Sequence, residues 1–341
     1  MACKILFWGT PDYAVPTLNA LVSAGHTVVG IVTQPDRRRG RGGTLQPSPV
    51  KARAQELGVP VLTPTRIRRE PEIQAALASL QADVFVVVAF GQILPPSVLK
   101  QPPLGCWNGH GSLLPRWRGA GPIQWCLLEG DQETGVGIMA MEEGLDTGPV
   151  LLERRLPIAL LDNAQQLSKR LAEMTGELFI EALPLIEKAG PGPDKQRLQR
   201  LQVRPQAESG ISYARLLRKE DFAIDWNQSA LSIHRRIMGL YPGAHTHWNG
   251  QRLKLLATEP LVERLRSKIS PEASSLCNRW ISGEHGPGTI LAVDRTLGLV
   301  VATAGCPILI HQAQLAGKTA ASGESLVQQL NPKQGQRLGS N

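Results

Sequence analysis

Short apolar runs alternate with amphipathic stretches over the first part of the chain. The runs are four to seven residues long, as in buried strands, and the stretches between them have the apolar spacing of helices. This alternation predicts an α/β fold, a doubly wound and mostly parallel sheet whose ligands bind outside the carboxyl ends of the strands. The predicted strands are residues 5–8, 26–32, 59–62 and 84–89, and the predicted helices are residues 14–23, 70–80 and 164–188.

The pattern changes after residue 188. Residues 189–210 are rich in proline, glycine and polar side chains, which predicts an extended, charged linker. Beyond it, a helix-like segment at 229–239 precedes short strands with glycine turns, a pattern that favours a small OB-like β-barrel. Residues 261–284 are expected to form a surface loop inserted between two of its strands. The predicted strands of this part are residues 252–257, 289–292, 298–302 and 307–310.

A chain of 341 residues exceeds the usual size of one domain, so two domains are expected. We predict a catalytic domain at 1–189, a linker at 190–210, an OB-like domain at 211–330 and a tail at 331–341. No apolar stretch approaches the roughly 18 residues of a membrane span, and no secretory signal pattern precedes the first strand. Five scattered cysteines argue against a disulfide framework and a zinc site. We therefore expect a cytoplasmic protein that has no metal and does not bind a membrane.

Positive charge is distributed unevenly. Lysine plus arginine balances aspartate plus glutamate at 18 against 18 over residues 1–188, but the counts are 19 against 11 over residues 189–341. The whole net charge of +8 therefore lies in the second part. Such a surplus favours a polyanionic partner, since each phosphate contact releases counterions. The alternative is a basic surface that serves solubility only.

Candidate chemistry is concentrated at Asn108, His110 and Asp146. Asn108 and His110 are two positions apart, so on an extended segment both side chains point to the same side. An amide can donate to an oxyanion, an imidazole can move a proton, and a carboxylate can orient the imidazole. Together they suit acyl transfer to an amine. Considered one at a time, the two residues have an alternative interpretation without a catalytic role: His110 as an ordinary loop histidine and Asp146 as a turn residue. The nearby Cys106 is a conceivable nucleophile, but a buried strand thiol is the preferred interpretation.

Several short motifs follow one another along nearly the whole chain. They are residues 5–11, 33–37, 47–51, 88–91, the Asn-x-His-Gly-Ser-Leu-Leu-Pro-Arg-Trp-Arg-Gly run at 108–119, Leu-Asp-Thr-Gly at 145–148, and residues 224–226 and 287–290. In content and order this series resembles the folate-dependent formyltransferase superfamily. The Asn-x-His and Leu-Asp-Thr-Gly pair resembles the wider superfamily, whereas the run at 115–119 and the downstream motifs resemble its tRNA-modifying branch.

The resemblance implies a reaction and its substrates. Asn108, His110 and Asp146 would transfer the formyl group of 10-formyltetrahydrofolate to the amino group of methionine on initiator methionyl-tRNA, with the protein acting as a monomer. The implied folate site is lined by Ser112, Leu113, Leu114, Pro115, Phe90 and Ile93. The implied tRNA contacts lie on the arginine-rich segment 34–46, with Arg41 as the leading contact and Arg37, Arg38 and Arg39 beside it.

Two departures from the family pattern are expected to matter. Gly43 and Thr44 stand where family members often carry lysines, and Gly109 stands where an apolar residue is common between the asparagine and the histidine. We expect Gly109 to loosen the segment and lower the rate.

Three other functions remain open. A formyltransferase for a small amine, or a formylfolate hydrolase, would not need the basic second part. A dehydrogenase would need a G-x-G-x-x-G fingerprint, but the first strand ends in Gly9-Thr10-Pro11, and Pro11 lacks the backbone donor that a phosphate would use. A non-catalytic RNA-binding protein would not need the Asn108, His110 and Asp146 set.

Overall fold

The structure is a computed structural model that describes residues 3–39 and 43–339. The chain forms two compact units. Unit 1 comprises Met1–Pro122, Glu133–Leu156 and Ser168–Leu216, and unit 2 comprises Ile123–Gln132, Pro157–Leu167 and Leu217–Asn341. Unit 1 thus continues past residue 189 to Leu216. Among the described residues, no helix is long and apolar enough to cross a membrane.

Most predicted strands and helices are present, together with several short elements. The strands are β1 (Lys4–Gly9), β2 (Thr27–Val32), β3 (Arg37–Arg39), β4 (Thr44–Gln46), β5 (Val61–Leu62), β6 (Val84–Val88), β7 (Cys106–His110), β8 (Arg118–Gly119), β9 (Glu133–Ala140), β10 (Val150–Pro157), β11 (Tyr213–Ala214), β12 (His245–Trp248), β13 (Gln251–Pro260), β14 (Ile290–Asp294), β15 (Gly298–Val301), β16 (Ile308–Leu315) and β17 (Ala321–Ser322). The α-helices are α1 (Val15–Ser23), α2 (Pro49–Glu56), α3 (Pro71–Ser79), α4 (Pro96–Leu99), α5 (Pro122–Glu129), α6 (Ala164–Ala189), α7 (Asp194–Leu201), α8 (Ala230–Gly239), α9 (Pro271–Leu276) and α10 (Gly323–Leu330).

A seven-stranded sheet forms the centre of unit 1, in the order β10-β9-β7-β6-β1-β2-β5. The pairs from β7 to β5 are parallel, and β9 runs antiparallel to β7. Every residue of β6 and β7 is buried. Strand β6 is apolar throughout, as is usual in a parallel sheet covered on both faces, whereas β7 also carries the polar Asn108 and His110. The predicted doubly wound, mostly parallel sheet is confirmed.

The prediction of an extended linker at 189–210 is wrong for the first half of the segment, which contains helix α7. The helix is held by Arg197, which is 3% exposed and donates from Nη1 to the Leu104 carbonyl at 2.7 Å. Its guanidinium carbon lies 5.6 Å from the centre of the Trp107 ring, over the ring face. An arginine that packs against a distant strand leaves no apolar periodicity, so the composition of the segment concealed the helix.

Unit 2 is built on an antiparallel sheet in the order β12-β13-β16-β15-β14, with β17 paired to β16. Helices α8 and α10 contribute buried side chains to one core with this sheet, including Ile237, Leu255 and Leu326. This arrangement agrees with the predicted OB-like domain.

Residues 261–284 do not form a simple surface loop. A 3₁₀ helix at Glu263–Lys268 leads into α9, and Ala273 and Leu276 are buried against Val300 and Leu309. They form a second hydrophobic cluster, separate from the core that contains Leu255. The polar composition of the segment predicted a loop because only a few of its side chains face inward. Other residues of the segment, such as Ile281, which is 74% exposed, agree with the predicted surface position.

His234 lies inside unit 2 and not on its surface. The ring is 0% exposed, donates from Nε2 to the Leu160 carbonyl at 2.8 Å and accepts at Nδ1 from the Thr258 hydroxyl at 3.0 Å. Burial of the ring lowers the pKa of His234 from 6.5 to about 4. The histidine is therefore neutral at pH 7 and adds nothing to the positive charge of this part of the chain.

Stability is predicted to fall as the pH drops from about 6.5 towards 4, because in that range the unfolded chain binds a proton at His234 that the folded protein excludes. The difference between the two pKa values corresponds to about 3 kcal/mol at pH 4. Urea unfolding of the wild type and of His234→Gln, measured between pH 7 and pH 4, should show a smaller acid loss in the variant. His247→Gln, at a partly exposed position, is the control. An identical acid loss in the wild type and His234→Gln would contradict the prediction.

Candidate active site

Strand β7 places Asn108 and His110 on one face of the sheet. It pairs with β6, where Val87 lies opposite Asn108, and with β9, where Gly137 lies opposite His110. Asn108 is 9% exposed and His110 is 6% exposed. Their polar groups can therefore be satisfied only by a few fixed partners.

Asp146 supplies the first of these partners from the loop between β9 and β10. Its Oδ1 accepts from the Asn108 amide at 3.3 Å, and its Oδ2 accepts from the Gly119 backbone N–H at 2.8 Å. The Asp146 backbone has a φ of 51°, a left-handed conformation that is uncommon for residues other than glycine. Two residues later, a Cβ on Gly148 would lie 1.8 Å from the Ala140 carbonyl oxygen, so only glycine fits.

His110 is held between Asp146 and the following loop. Its Nε2 lies 2.9 Å from the Trp117 carbonyl oxygen, and since a carbonyl only accepts, Nε2 carries the proton. Its Nδ1 lies 3.7 Å from Asp146 Oδ2, so the carboxylate faces the ring nitrogen that carries no proton. The three residues that the sequence singled out are thus brought together. Nδ1 is the ring nitrogen left to exchange a proton.

Gly109 is fixed by close packing and does not loosen the strand. A Cβ at this position would lie 2.5 Å from Thr175 Cγ2 and 2.8 Å from Phe179 Cε2, both on α6. The Thr175 hydroxyl is in turn bound to Tyr13 at 2.9 Å. Helix α6 therefore occupies the space that a side chain at 109 would need, and the expected loosening is wrong.

The residues predicted to line the folate site differ in their surroundings. Ser112 is 1% exposed and donates to the Arg116 carbonyl at 2.6 Å, while Leu114 is 5% exposed and packs with Met139 and Val150. Leu113 and Pro115 are half-buried.

Phe90 and Ile93, which follow β6, also contrast with each other. Ile93 is 46% exposed and offers apolar surface. Phe90 is 2% exposed and packs edge-on against Trp8, with ring centres 5.1 Å apart. The expectation that the Phe90 ring faces a ligand is therefore at odds with its place in the core.

The arginine-rich segment forms a short hairpin from β3 and β4, in which Arg37 lies opposite Gln46. Arg37 and Arg38 are exposed, and Asp36 at the base is paired with Lys51 at 2.8 Å. Arg39 lies within β3, and Arg41 lies outside the described residues. The hairpin thus presents at least two cations on a base fixed by an ion pair.

Cys106 is not an activated nucleophile. It is 4% exposed, and burial raises the pKa of its thiol well above the usual range, so the sulfur stays protonated. The preferred interpretation of a buried strand thiol agrees with this environment.

Among the described residues of unit 1, one group of possible metal ligands lies away from this site. Ligand atoms of Cys3, His26 and Glu187 lie within 4.8 Å of one another. The Cys3 thiol donates to Glu187, and burial followed by this hydrogen bond raises the pKa of Cys3 to about 12. The hydrogen bond accounts for the arrangement.

Sequence reasoning missed one side chain that contacts this site. Gln206 accepts from Arg118 and donates to the carbonyl oxygens of Asp146 and Gly148. It lies in the polar segment that was interpreted as a linker, where a glutamine has no distinguishing spacing. No local pattern in the sequence marks it.

Family models identify both parts of the chain. The model described as formyl transferase matches residues 3–183, and the model described as formyl transferase, C-terminal domain, matches residues 216–331. The chain therefore belongs to the formyl transferase family. The resemblance inferred from the motifs is confirmed.

Relatives within this family narrow the assignment. A protein of Synechococcus sp. (strain RCC307) is 69% identical over 96% of this chain and 100% of its own length. A protein of Prochlorococcus marinus (strain MIT 9313) is 60% identical over 98% of each chain. Both carry the name methionyl-tRNA formyltransferase, and it is to this group of formyl transferases that the chain belongs.

Solved structures of low sequence identity share the fold. HypX from Aquifex aeolicus in complex with tetrahydrofolic acid has a TM-score of 0.60 at 16% identity, covering 97% of this chain and 48% of its own. WlaRD, a sugar 3N-formyl transferase, has a TM-score of 0.58 at 17% identity, covering 94% of this chain and 100% of its own. At such identities the likeness concerns the fold alone.

Gly109→Ala is predicted to destabilise the protein by about 1–3 kcal/mol and to lower activity, because β7 or α6 must move to admit the methyl group. Thr175→Ser removes the methyl group nearest to position 109 and keeps the hydroxyl that meets Tyr13. The double variant should therefore lose less stability than the two single variants together. Chemical unfolding of all three proteins checks this, and a fully stable Gly109→Ala would contradict it.

Proposed function

We propose that this protein transfers the formyl group of 10-formyltetrahydrofolate to the α-amino group of methionine esterified to initiator tRNA. The observation that carries the proposal is the cluster of Asn108, His110 and Asp146, in which a buried amide and imidazole share one carboxylate. The names of the close relatives supply the transferred formyl group and the acceptor class, and the tetrahydrofolic acid complex of HypX supports a folate donor.

Asn108 is the proposed oxyanion donor. The side-chain amide has two N–H groups, and one of them donates to Asp146. Among residues 3–39 and 43–339 the other N–H has no partner, so it is available to the formyl oxygen. When the amine attacks, that oxygen gains negative charge, and a donor fixed in advance stabilises it without reorganisation.

His110 is the proposed proton acceptor. As the amine nitrogen bonds to the formyl carbon, it must release a proton, and Nδ1 can accept it directly or through a water molecule. Asp146 then faces the imidazolium at 3.7 Å. The bond between the formyl carbon and N10 of the folate breaks next, and N10 takes up a proton. Charge and atoms balance without a metal.

The donor is proposed to lie along the loop that follows His110. The backbone of Ser112, Leu113, Leu114 and Pro115 is held by the Ser112 hydrogen bond to Arg116, and Ile93 adds exposed apolar surface.

The acceptor is proposed to contact cations on both parts of the chain. Arg37 and Arg38 are exposed on the hairpin of β3 and β4, and guanidinium groups can pair with phosphates or stack on unpaired bases. Arg39 and Arg41, from the same arginine-rich segment of the sequence, are proposed to share this role. The surplus of positive charge after residue 188 would add long-range attraction for the tRNA backbone. We also propose that the protein acts as a monomer in the cytoplasm, where all five cysteines, free in the structure, would stay reduced.

Asn108→Ala should lower kcat roughly 100- to 1,000-fold, and His110→Ala roughly 100- to 10,000-fold, as losses of an oxyanion donor and of a general base. Asp146→Ala should resemble His110→Ala. Binding of the tRNA should change little, because none of these side chains is exposed at the hairpin. The measurement is the steady-state rate at which formylmethionyl-tRNA forms from initiator methionyl-tRNA.

The matched control is Glu143→Gln, which removes an exposed carboxylate from the same loop as Asp146. Initiator tRNA, elongator tRNA and free methionine should be compared as acceptors. Turnover of His110→Ala near that of the wild type would refute the catalytic assignment. Formylation of free methionine as fast as of the tRNA ester would refute the tRNA assignment.

The double variant Arg37→Ala/Arg38→Ala should raise KM for tRNA and leave KM for the folate unchanged. Loss of two phosphate contacts should flatten the plot of log Kd against log salt concentration by about 2. Arg68→Ala/Arg69→Ala, two exposed neighbours in another segment, is the control. Equal tRNA affinity and equal salt dependence in both double variants would exclude the hairpin as a tRNA contact.

A further inference from the structure

We propose that Gln206 is a positioning residue for formyl transfer, and that residues 204–214, here called the connecting segment, complete the active site of unit 1. The proposal rests on the proposed function, since it concerns how Asp146 and His110 are held. It also moves the functional end of the catalytic domain from residue 189 to the end of this segment.

The side chain of Gln206 uses its whole hydrogen-bonding capacity. Its Oε1 accepts from Arg118 Nε at 3.0 Å and from Nη2 at 2.7 Å. Its Nε2 donates to the Asp146 carbonyl at 2.8 Å and to the Gly148 carbonyl at 2.7 Å. An amide has one oxygen with two acceptor sites and two N–H donors, so all four are used. Neither a carboxylate nor an apolar side chain can make this set.

These contacts fix the backbone that aims the catalytic carboxylate. Asp146 has a φ of 51°, a conformation that persists only where surrounding contacts impose it. Gln206 binds the carbonyl of Asp146 itself and that of Gly148, which is packed against Ala140. Without the two donors, the loop is free to relax towards an ordinary conformation. The distances from Asp146 to Asn108 and His110 would then no longer be set.

The connecting segment also holds the loop that provides the second partners of His110 and Asp146. Ser212 accepts from the Trp117 N–H through its hydroxyl at 3.0 Å and from the Arg118 N–H through its carbonyl at 2.9 Å. Strand β11 pairs in parallel with β8. A Cβ on Gly119 would lie 2.9 Å from the Ala214 carbonyl oxygen. The Trp117 carbonyl that meets His110 and the Gly119 N–H that meets Asp146 therefore depend on this pairing.

Arg118 joins the two loops through Gln206. It is 8% exposed, and its guanidinium meets the Gln206 oxygen with two N–H groups. The same glutamine thus binds one side chain from the loop after His110 and two carbonyls from the loop that carries Asp146. At the other end, Arg204 exchanges two backbone hydrogen bonds with Val150, each 2.8 Å long. The connecting segment therefore contacts the Asp146 loop at Asp146 and Gly148 and the start of β10 at Val150.

The test uses the full chain and three variants. Gln206→Ala should lower kcat at least 10-fold with less than a 3-fold change in KM for tRNA, and it should alter the pH dependence of kcat. Gln206→Glu keeps the acceptor for Arg118 and loses both donors to the carbonyls. If positioning of Asp146 is what matters, it should be as impaired as Gln206→Ala. Gln199→Ala, an exposed position on α7, is the matched control and should behave as the wild type.

A second readout does not depend on activity. Backbone amide exchange of Gly119, whose N–H donates to Asp146, should become at least 10-fold faster in Gln206→Ala, while amides of β13 in unit 2 keep their wild-type rates. Unchanged Gly119 exchange, or a kcat and pH profile equal to the wild type, would overturn the proposal. A wild type that formylates no acceptor would instead refute the proposed function, and the exchange data would still decide the role of Gln206.

Discussion

The carboxylate of Asp146 is the point on which the rest of the site depends. It is largely buried, with only 14% of the side chain exposed, and a buried carboxylate must be met by donors or nearby positive charge. The donors come from a strand, at Asn108, and from a loop backbone, at Gly119. Since the Asn108 amide and the Gly119 N–H both donate to this carboxylate, the position of the carboxylate also sets the position of the proposed oxyanion donor.

This dependence explains why the surrounding structure is so tightly packed. The face of β7 opposite to Asn108 and His110 is pressed against α6 at Gly109, and the Asp146 loop is pressed against β9 at Gly148. In each case a glycine allows approach of another segment to a distance that no side chain would permit. The glycines thus fix the positions of the functional groups beside them. The chain cannot move freely at Gly109 or Gly148, because neighbouring atoms already fill the space around both residues.

Sequence predicted strands β1, β2, β5 and β6 of unit 1, because a strand buried in a sheet leaves an apolar run that can be recognised locally. It also predicted that the side chains of Asn108 and His110 lie on the same face of a strand, since the alternation of side chains along a strand is a local property. It could not predict Gln206, whose partners are two backbone carbonyls 60 and 58 positions away and the Arg118 side chain 88 positions away. Nor could it predict that the Phe90 ring turns inward to Trp8, because an apolar residue after a strand suits either a core or a ligand.

The number of charged residues in the sequence likewise does not show where their side chains lie in the structure. The surplus of lysine and arginine after residue 188 indicates a polyanionic partner, but it does not say which side chains meet it. His234 and Arg197 lie in that part of the chain, yet the first is a neutral core residue and the second is a buried cation that packs on Trp107. Arg37 and Arg38, by contrast, come from the part with no net charge and are exposed. A charge count therefore supports the class of partner, whereas burial decides which cations can reach it.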